Sequence, residues 1–441
     1  MAKTTNKTIS KSTKKKIKKN LKKVTKKQVL VIFILLLIVA VAFIALYSMG
    51  YLDAFLKPAP EDPTTEEPTT EEHTHEQNEA ISGVVYDDLQ IHFIELGNRY
   101  TGDSTYIKAG EVDILIDAGS RKNSATEIKA YVDEYCTDGV LEYVIATHAH
   151  QDHIAGFVGS KSGNTRTGIF YQYEIETLID FTFSDATSTL YTKEYIEARN
   201  YLIDNGTTHY TAKECYEETN GAKRVFELTS DINLEILWNK YYFEKAKDEN
   251  DYSVCTMINY NDHHFMFTGD LELEGEEAMA EYYDGSTELK TLPHVDLFKA
   301  GHHGSKTSSN ECLLSKITPD IVCVCCCAGD TEYTIYNNNI FPTQDFINRV
   351  AKYTDQVYAT TVFNEKTMTF ESLNGDIIVS CDGENVAVAA SNNTTKLKDS
   401  TWFNEIIYVD SNGKIGPDDD EFYTKDSEGV TAVPRRVWPT N

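Results

Sequence analysis

The residues best equipped for chemistry stand together in Thr147-His-Ala-His-Gln-Asp-His-Ile-Ala-Gly156, where three imidazoles and a carboxylate share six consecutive positions. The string follows an apolar, strand-like run over residues 141–147, so the loop after it emerges at a sheet edge. A tight turn there can aim His148 and His150 at one cation, and Asp152 and His153 at another. Imidazole nitrogen and carboxylate oxygen suit Zn²⁺ ahead of Mn²⁺, and two such divalent ions can share one hydroxide nucleophile. A chance cluster of surface histidines is the alternative, and spacing, strand context and downstream partners all weigh against it. Those partners are Asp270, closing Phe265-Met-Phe-Thr-Gly-Asp270, and the pair His302-His303 in Phe298-Lys-Ala-Gly-His-His-Gly-Ser305. Each follows a short apolar strand.

With Asp117-Ala-Gly119, the HxHxDH string, Thr268-Gly-Asp270 and Gly301-His-His-Gly-Ser305 in that order, the chain resembles the metallo-β-lactamase-fold hydrolases. The nearest branch is the β-lactamase-like domain of the bacterial competence protein for DNA uptake and its stand-alone relatives. Ile91-His-Phe-Ile-Glu-Leu-Gly97 with Gly102-Asp-Ser104, then Asn250-Asp-Tyr-Ser253, then His302-His-Gly-Ser-Lys-Thr-Ser308 resemble further signatures of that branch, and the likeness covers residues 84–390. It implies an α/β fold, the αββα sandwich, and a metal-dependent hydrolase of phosphodiester bonds, with nuclease as the family-derived form. It also implies that Asp117 braces the metal loop instead of binding metal. Departures are visible too. The competence branch often carries Asp where this chain has His150. Many lactamases place a further ligand in mid-chain, where His209 here looks like part of a turn. Phe341-Pro342 stands where the branch has His-Pro.

The expected ligands are then His148, His150, Asp152, His153, Asp270 and His302. Asp270 is the candidate bridge, because a carboxylate can bind one ion through each oxygen, and Asp152 is placed to accept the nucleophile's proton. Of the adjacent histidines, His302 is favoured as ligand because it lies nearer the strand end. His303, Ser305 and Lys306 are left to hold a phosphate or a developing oxyanion. A solvated turn is an equal reading of Ser305 and Lys306. A lactam or amide hydrolase and a non-catalytic binding or sensory module compete with the phosphodiesterase.

Around these groups the pattern alternates strands with helical stretches. Residues 90–96, 104–108 and 112–116 form an opening antiparallel set. Residues 124–135 follow as a helix with Ser124 and Glu127 as a capping box. After the first metal loop come a helical stretch at 193–203, strands near 233–238, 253–259 and 264–267, and a helix near 275–282. Ile321-Val-Cys-Val-Cys-Cys-Cys-Ala328 reads as a buried strand with cysteine acting as a small hydrophobe, because neighbours in a strand point to opposite faces and cannot jointly wrap one ion. Residues 374–383 close the domain, and the stretch from 391 to the end either packs on it or hangs free.

The first 28 residues hold 12 lysines and no acid, and the 21 positions from Val29 through Met49 carry no charge. That length fits a membrane-spanning helix with its lysine-rich end in the cytoplasm. Residues 50–82, rich in Pro, Thr and Glu, form a stalk that cannot bury enough surface to order itself. The expected domain order is therefore cytoplasmic segment 1–28, span 29–49, stalk 50–82, hydrolase domain 83–390 and extension 391–441. The catalytic domain would be extracytoplasmic on a single-pass anchor. Beyond residue 28 the chain has 29 basic and 69 acidic residues. Such a field repels a long polyanion and disfavours nucleic acid, while small phosphoesters remain compatible because metal ions supply local positive charge.

Overall fold

The β-rich stretches pair into two eight-stranded sheets. In the computed structural model, which describes residues 81–285, 291–417 and 421–440, the first sheet runs, edge to edge, Val386–Ala390, Ile377–Cys381, Leu89–Phe93, Thr105–Ala109, Val112–Ile116, Val140–Ile145, Glu174–Asp180 and Thr208–Thr211. The second runs Thr369–Ser372, Gln356–Asn364, Ile321–Ala328, Leu297–Lys299, His263–Phe267, Thr256–Tyr260, Ile232–Ile236 and Val225–Glu227. The largest apolar core lies between them, gathering Leu89, Ile91, Ile107 and Ile114 from one sheet with Leu234, Ile258, Phe265 and Leu297 from the other. The rings of Phe93 and Phe267 approach to 6.5 Å across that seam.

A second core joins the outer face of the second sheet to the helices Leu273–Tyr282, Glu311–Ile317 and Gln344–Val350 through Met279, Leu313, Leu314 and Phe346. On the far side, the helices Ser124–Val132 and Gln151–Val158 contribute Ile128, Val132, Ile154 and Phe157 to the first core. Helices therefore cover both sheets, and the layers stack as αββα. Among the described residues no helix is long and apolar enough to cross a membrane. The charge-free run from Val29 to Met49 and the lysine-rich segment before it lie outside the described residues.

Two local expectations change. The helix over Ser124–Val132 starts with Asn123 at its N-cap position and has no side-chain cap. Ser124 Oγ instead accepts the Arg121 amide at 3.2 Å, so no capping box forms. His209 is not in a turn. It lies in the edge strand Thr208–Thr211, where its Nε2 meets the buried Asp180 Oδ1 at 2.8 Å. The cysteine run is a strand, Ile321–Ala328, buried at every position, with a register shift between Val324 and Cys327. All nine cysteines are free thiols.

The stretch after residue 390 packs back. Ile406–Val409 pairs antiparallel with Thr431–Pro434, and Ile407, Val409 and Ile415 enclose Ile340 in a small third core.

Candidate metal centre

Every motif loop opens at the same end of the sandwich. Thr105 pairs with Ile116 in antiparallel register, and Ile116 with Ile145 in parallel register. The start of one strand and the ends of two others therefore deliver Asp103, Asp117 and the histidine loop to one rim. The second sheet brings Asp270 after Phe267, and the histidine pair after Lys299.

Asp117 braces this rim. Its Oδ1 accepts the Thr147 amide at 2.8 Å, and its Oδ2 accepts the Thr147 hydroxyl and meets His153 Nδ1, each at 2.7 Å. Fixing Nδ1 leaves Nε2 of His153 pointing at the site, the arrangement by which a carboxylate orients a ligand imidazole. The helix behind the loop comes close enough for the Gly156 amide to reach Ala118 O at 2.7 Å. A Cβ at Gly156 would lie 2.1 Å from that oxygen, so only glycine allows the approach.

Asp103, His153, Asp270 and His303 form one buried cluster whose ligand atoms all lie within 4.8 Å of one another. His153 Nε2 is 3.1 Å and His303 Nε2 3.4 Å from Asp270 Oδ2. His303 Nδ1 meets Cys325 O at 2.8 Å, which aims its other nitrogen inward. His148 Nε2 lies 4.0 Å from the same Asp270 oxygen and 3.1 Å from His150 Nδ1, so this pair adjoins the cluster. Asp152 Oδ2 is 3.5 Å from His303 Nε2.

The protonation pattern suits a cation. Burial pushes the Asp270 carboxyl up, but the charges of His153, His303 and His302 outweigh it and hold it well below the carboxylate range. Burial pulls His153 and His303 down, yet the carboxylates around them, Asp270 first, raise both imidazoles well above their ordinary value. Burial and the neighbouring His153 keep His148 neutral. Here protons balance charge that a metal would balance instead. His153 Nε2, His303 Nε2 and Asp270 Oδ1 are buried without hydrogen-bond partners. Buried orphans of this kind converging on one point fit a divalent ion.

The placement differs from the expected ligand list at the histidine pair. His303, fully buried, stands in the cluster. His302 stands at its edge, with Nε2 3.9 Å from Asp270 Oδ2 and Nδ1 held by Glu272 at 3.2 Å. Both residues adopt left-handed backbone, φ 47° and 53°, which turns the chain sharply after the strand. Ser305 and Lys306 do not line the cluster: the Ser305 hydroxyl bonds Thr307 Oγ1 at 2.9 Å and Lys306 Nζ donates to Asn339 Oδ1 at 2.7 Å.

Sequence reasoning missed three members of the site. Asp103 was visible only as part of the Gly102-Asp-Ser104 signature. Lys299 is buried, its ammonium paired with Asp103 and 3.9 Å from Asp270 Oδ1. The available signal was a lone lysine ending an apolar strand. Tyr333 donates to Asp152 Oδ2 at 2.9 Å from a loop with no motif.

Residues 97–162 match the metallo-beta-lactamase superfamily. Over 125 residues, 28% of this chain and 14% of the relative, the sequence is 28% identical to Recombination protein 2 of Haemophilus influenzae. The chain therefore spans only a small part of that curated relative. Among solved structures, the metallo-beta-lactamase fold protein YhfI from Bacillus subtilis is similar at 12% identity, covering 62% of this chain and 96% of that one with a TM-score of 0.34. The short form of human tRNase Z is similar at 11% identity, covering 61% and 91% with a TM-score of 0.29. The helix-backed HxHxDH loop, the two stacked sheets and the superfamily match agree, and the chain contains a metallo-beta-lactamase-fold domain.

Proposed function

We propose that this protein is a metal-dependent hydrolase of phosphodiester bonds, held at the cell membrane by residues 29–49 with its catalytic domain on the extracytoplasmic side. The observation that carries the hydrolase is the buried quartet Asp103, His153, Asp270 and His303 with its unpartnered nitrogen and carboxylate atoms. These residues, with Asp152 beside His303, would hold one ion, and His148, His150 and the shared Asp270 a second. A bound divalent ion supplies Lewis-acid charge and a water acidic enough to act as nucleophile near neutral pH.

The chain's own groups do the rest. Asp117 and Thr147 fix the tautomer and orientation of His153. Asp152, at the rim, is placed to take the nucleophile's proton. Lys299 keeps Asp103 ionised: burial alone would raise that carboxyl, but the Lys299, His303 and His153 charges lower it. The similarity to a recombination protein brings nucleic-acid phosphodiesters among the candidate substrates, while the excess of 69 acidic over 41 basic residues favours small ones.

The test is a panel of hydrolysis assays on the full chain in detergent with Mn²⁺ or Zn²⁺: bis-p-nitrophenyl phosphate, a chromogenic β-lactam and a p-nitroanilide. Turnover of the phosphodiester alone, abolished by chelator, is expected. Turnover of the lactam or anilide without the phosphodiester would overturn the substrate class.

A further inference from the structure

We propose that the C-terminal extension belongs to the active site, holding residues 330–343 as a strap that places the Tyr333 hydroxyl on Asp152; this rests on the hydrolase reading above. Tyr333 is more than half exposed as a residue, yet its hydroxyl is committed to the Oδ2 of a carboxylate at the metal cluster. The Phe341 ring, at the other end of the strap, lies 5.4 Å from the His302 ring and 6.1 Å from that of His303. It therefore packs beside the pair. Two aromatic residues of one connection thus reach the centre, their rings 6.2 Å apart.

Little within the strap itself fixes this shape. The Gly329 amide reaches Phe341 O at 2.9 Å across its base, and Glu332 pairs with Arg121 on the first metal loop's side. The histidine loop adds Lys306 Nζ on Asn339 Oδ1 at 2.7 Å and the Thr343 amide on Gly304 O at 2.9 Å, and the extension adds further ties. The Ile415 amide bonds Ile335 O and the Asn337 amide bonds Gly413 O, each at 2.9 Å. Ile340 is sealed by Ile407, Val409 and Ile415. Arg436, buried to 3% exposure, spends its guanidinium on the strap: Nε donates to Pro342 O and Nη2 to Ile340 O, both at 2.7 Å, and Nη1 to Asn337 Oδ1 at 2.8 Å. A planar fork with several donors can fix three acceptors along one loop in a way that a lysine cannot.

The consequence is a chain of positioning from Arg436 through the strap to Tyr333 and on to Asp152. Tyr333 is a positioning residue here, acting through the carboxylate. Losing a partner that orients a ligand commonly weakens metal binding by about 10- to 100-fold.

The test measures Mn²⁺ affinity of the full chain by calorimetry and the visible absorption of the Co²⁺-loaded protein for wild type, Tyr333→Phe, Arg436→Lys and the double variant. Leu202→Ala, a buried change on the helix Ile196–Asp204 remote from the strap, serves as the control for lost stability alone. Both single variants are expected to weaken Mn²⁺ by about tenfold or more and to alter the Co²⁺ spectrum. The double variant should be no weaker than the worse single one, because both act through one contact. Leu202→Ala should bind metal as wild type does. Wild-type affinity and spectrum in Tyr333→Phe, or additive losses in the double variant, would overturn the inference while leaving the hydrolase intact. A wild-type chain that binds no metal would overturn the hydrolase reading and the inference with it.

Discussion

Asp270 has His153, His303, His148 and His302 within 3.1–4.0 Å of one carboxylate oxygen, and Lys299 beyond the other. The two adjacent histidines are separable by experiment. His303→Ala should weaken Mn²⁺ by more than about 100-fold, beyond the loss typical of partners that only orient a ligand, whereas His302→Ala should stay within about tenfold. The reverse order in a calorimetric titration would return His302 to the ligand set. Lys299 gives a second prediction. Lys299→Met leaves Asp103 buried without its ammonium, which should cost the metal-free protein about 3–5 kcal/mol in urea denaturation, and added Mn²⁺ should recover part of the loss. Unchanged stability would mean that Asp103 is already satisfied elsewhere. The HxHxDH residues were legible because they are contiguous and follow a strand. The choice between His302 and His303 was not, because consecutive left-handed residues turn the chain in a way that spacing does not encode.

The opening strands Leu89–Phe93 and Thr105–Ala109 and the strand Ile321–Ala328 follow directly from alternating or unbroken apolar runs. The sequence could not show what those strands enclose. His92 is wholly buried on the first strand, with its Nδ1 2.7 Å from Tyr131 Oη and its ring beside those of Tyr106 and Tyr135. Burial drives its pKa from 6.5 down to about 3. Between those values the unfolded chain binds a proton that the folded chain refuses, so stability falls as pH falls, by at most about 1.4 kcal/mol per pH unit. The contribution is complete above pH 6.5 and is lost progressively below it. His92→Gln should flatten that part of the profile in urea melts between pH 7 and pH 4. An unchanged slope would place the acid sensitivity elsewhere. The strap and the extension were illegible for a different reason. Their ties run between main-chain groups and a single arginine far apart in sequence, and neither has periodicity.

For the whole molecule, charge and hydropathy divide the chain more sharply than any motif does. The 12 lysines and the charge-free run of 21 residues fall in the first 49 positions, and every acidic residue lies beyond them. If the run spans the bilayer, the full chain should sediment with membranes, resist extraction by salt and carbonate, and be released by detergent. Release by carbonate alone would mean that it does not. The excess of acid should also make duplex DNA a poor ligand whose binding weakens further without metal. The sandwich was legible from the order of strands, helices and motif loops, since two similar halves of that pattern must bury one face each.

Metal analysis of the purified full chain beside Asp270→Ala, by mass spectrometry after gel filtration, bears most directly on the centre. Wild type should carry about two divalent ions per chain, as a shared-carboxylate site requires, and Asp270→Ala should carry close to none at an unchanged fold by circular dichroism. A wild type free of metal, or an Asp270→Ala protein that holds as much as wild type, would contradict the account.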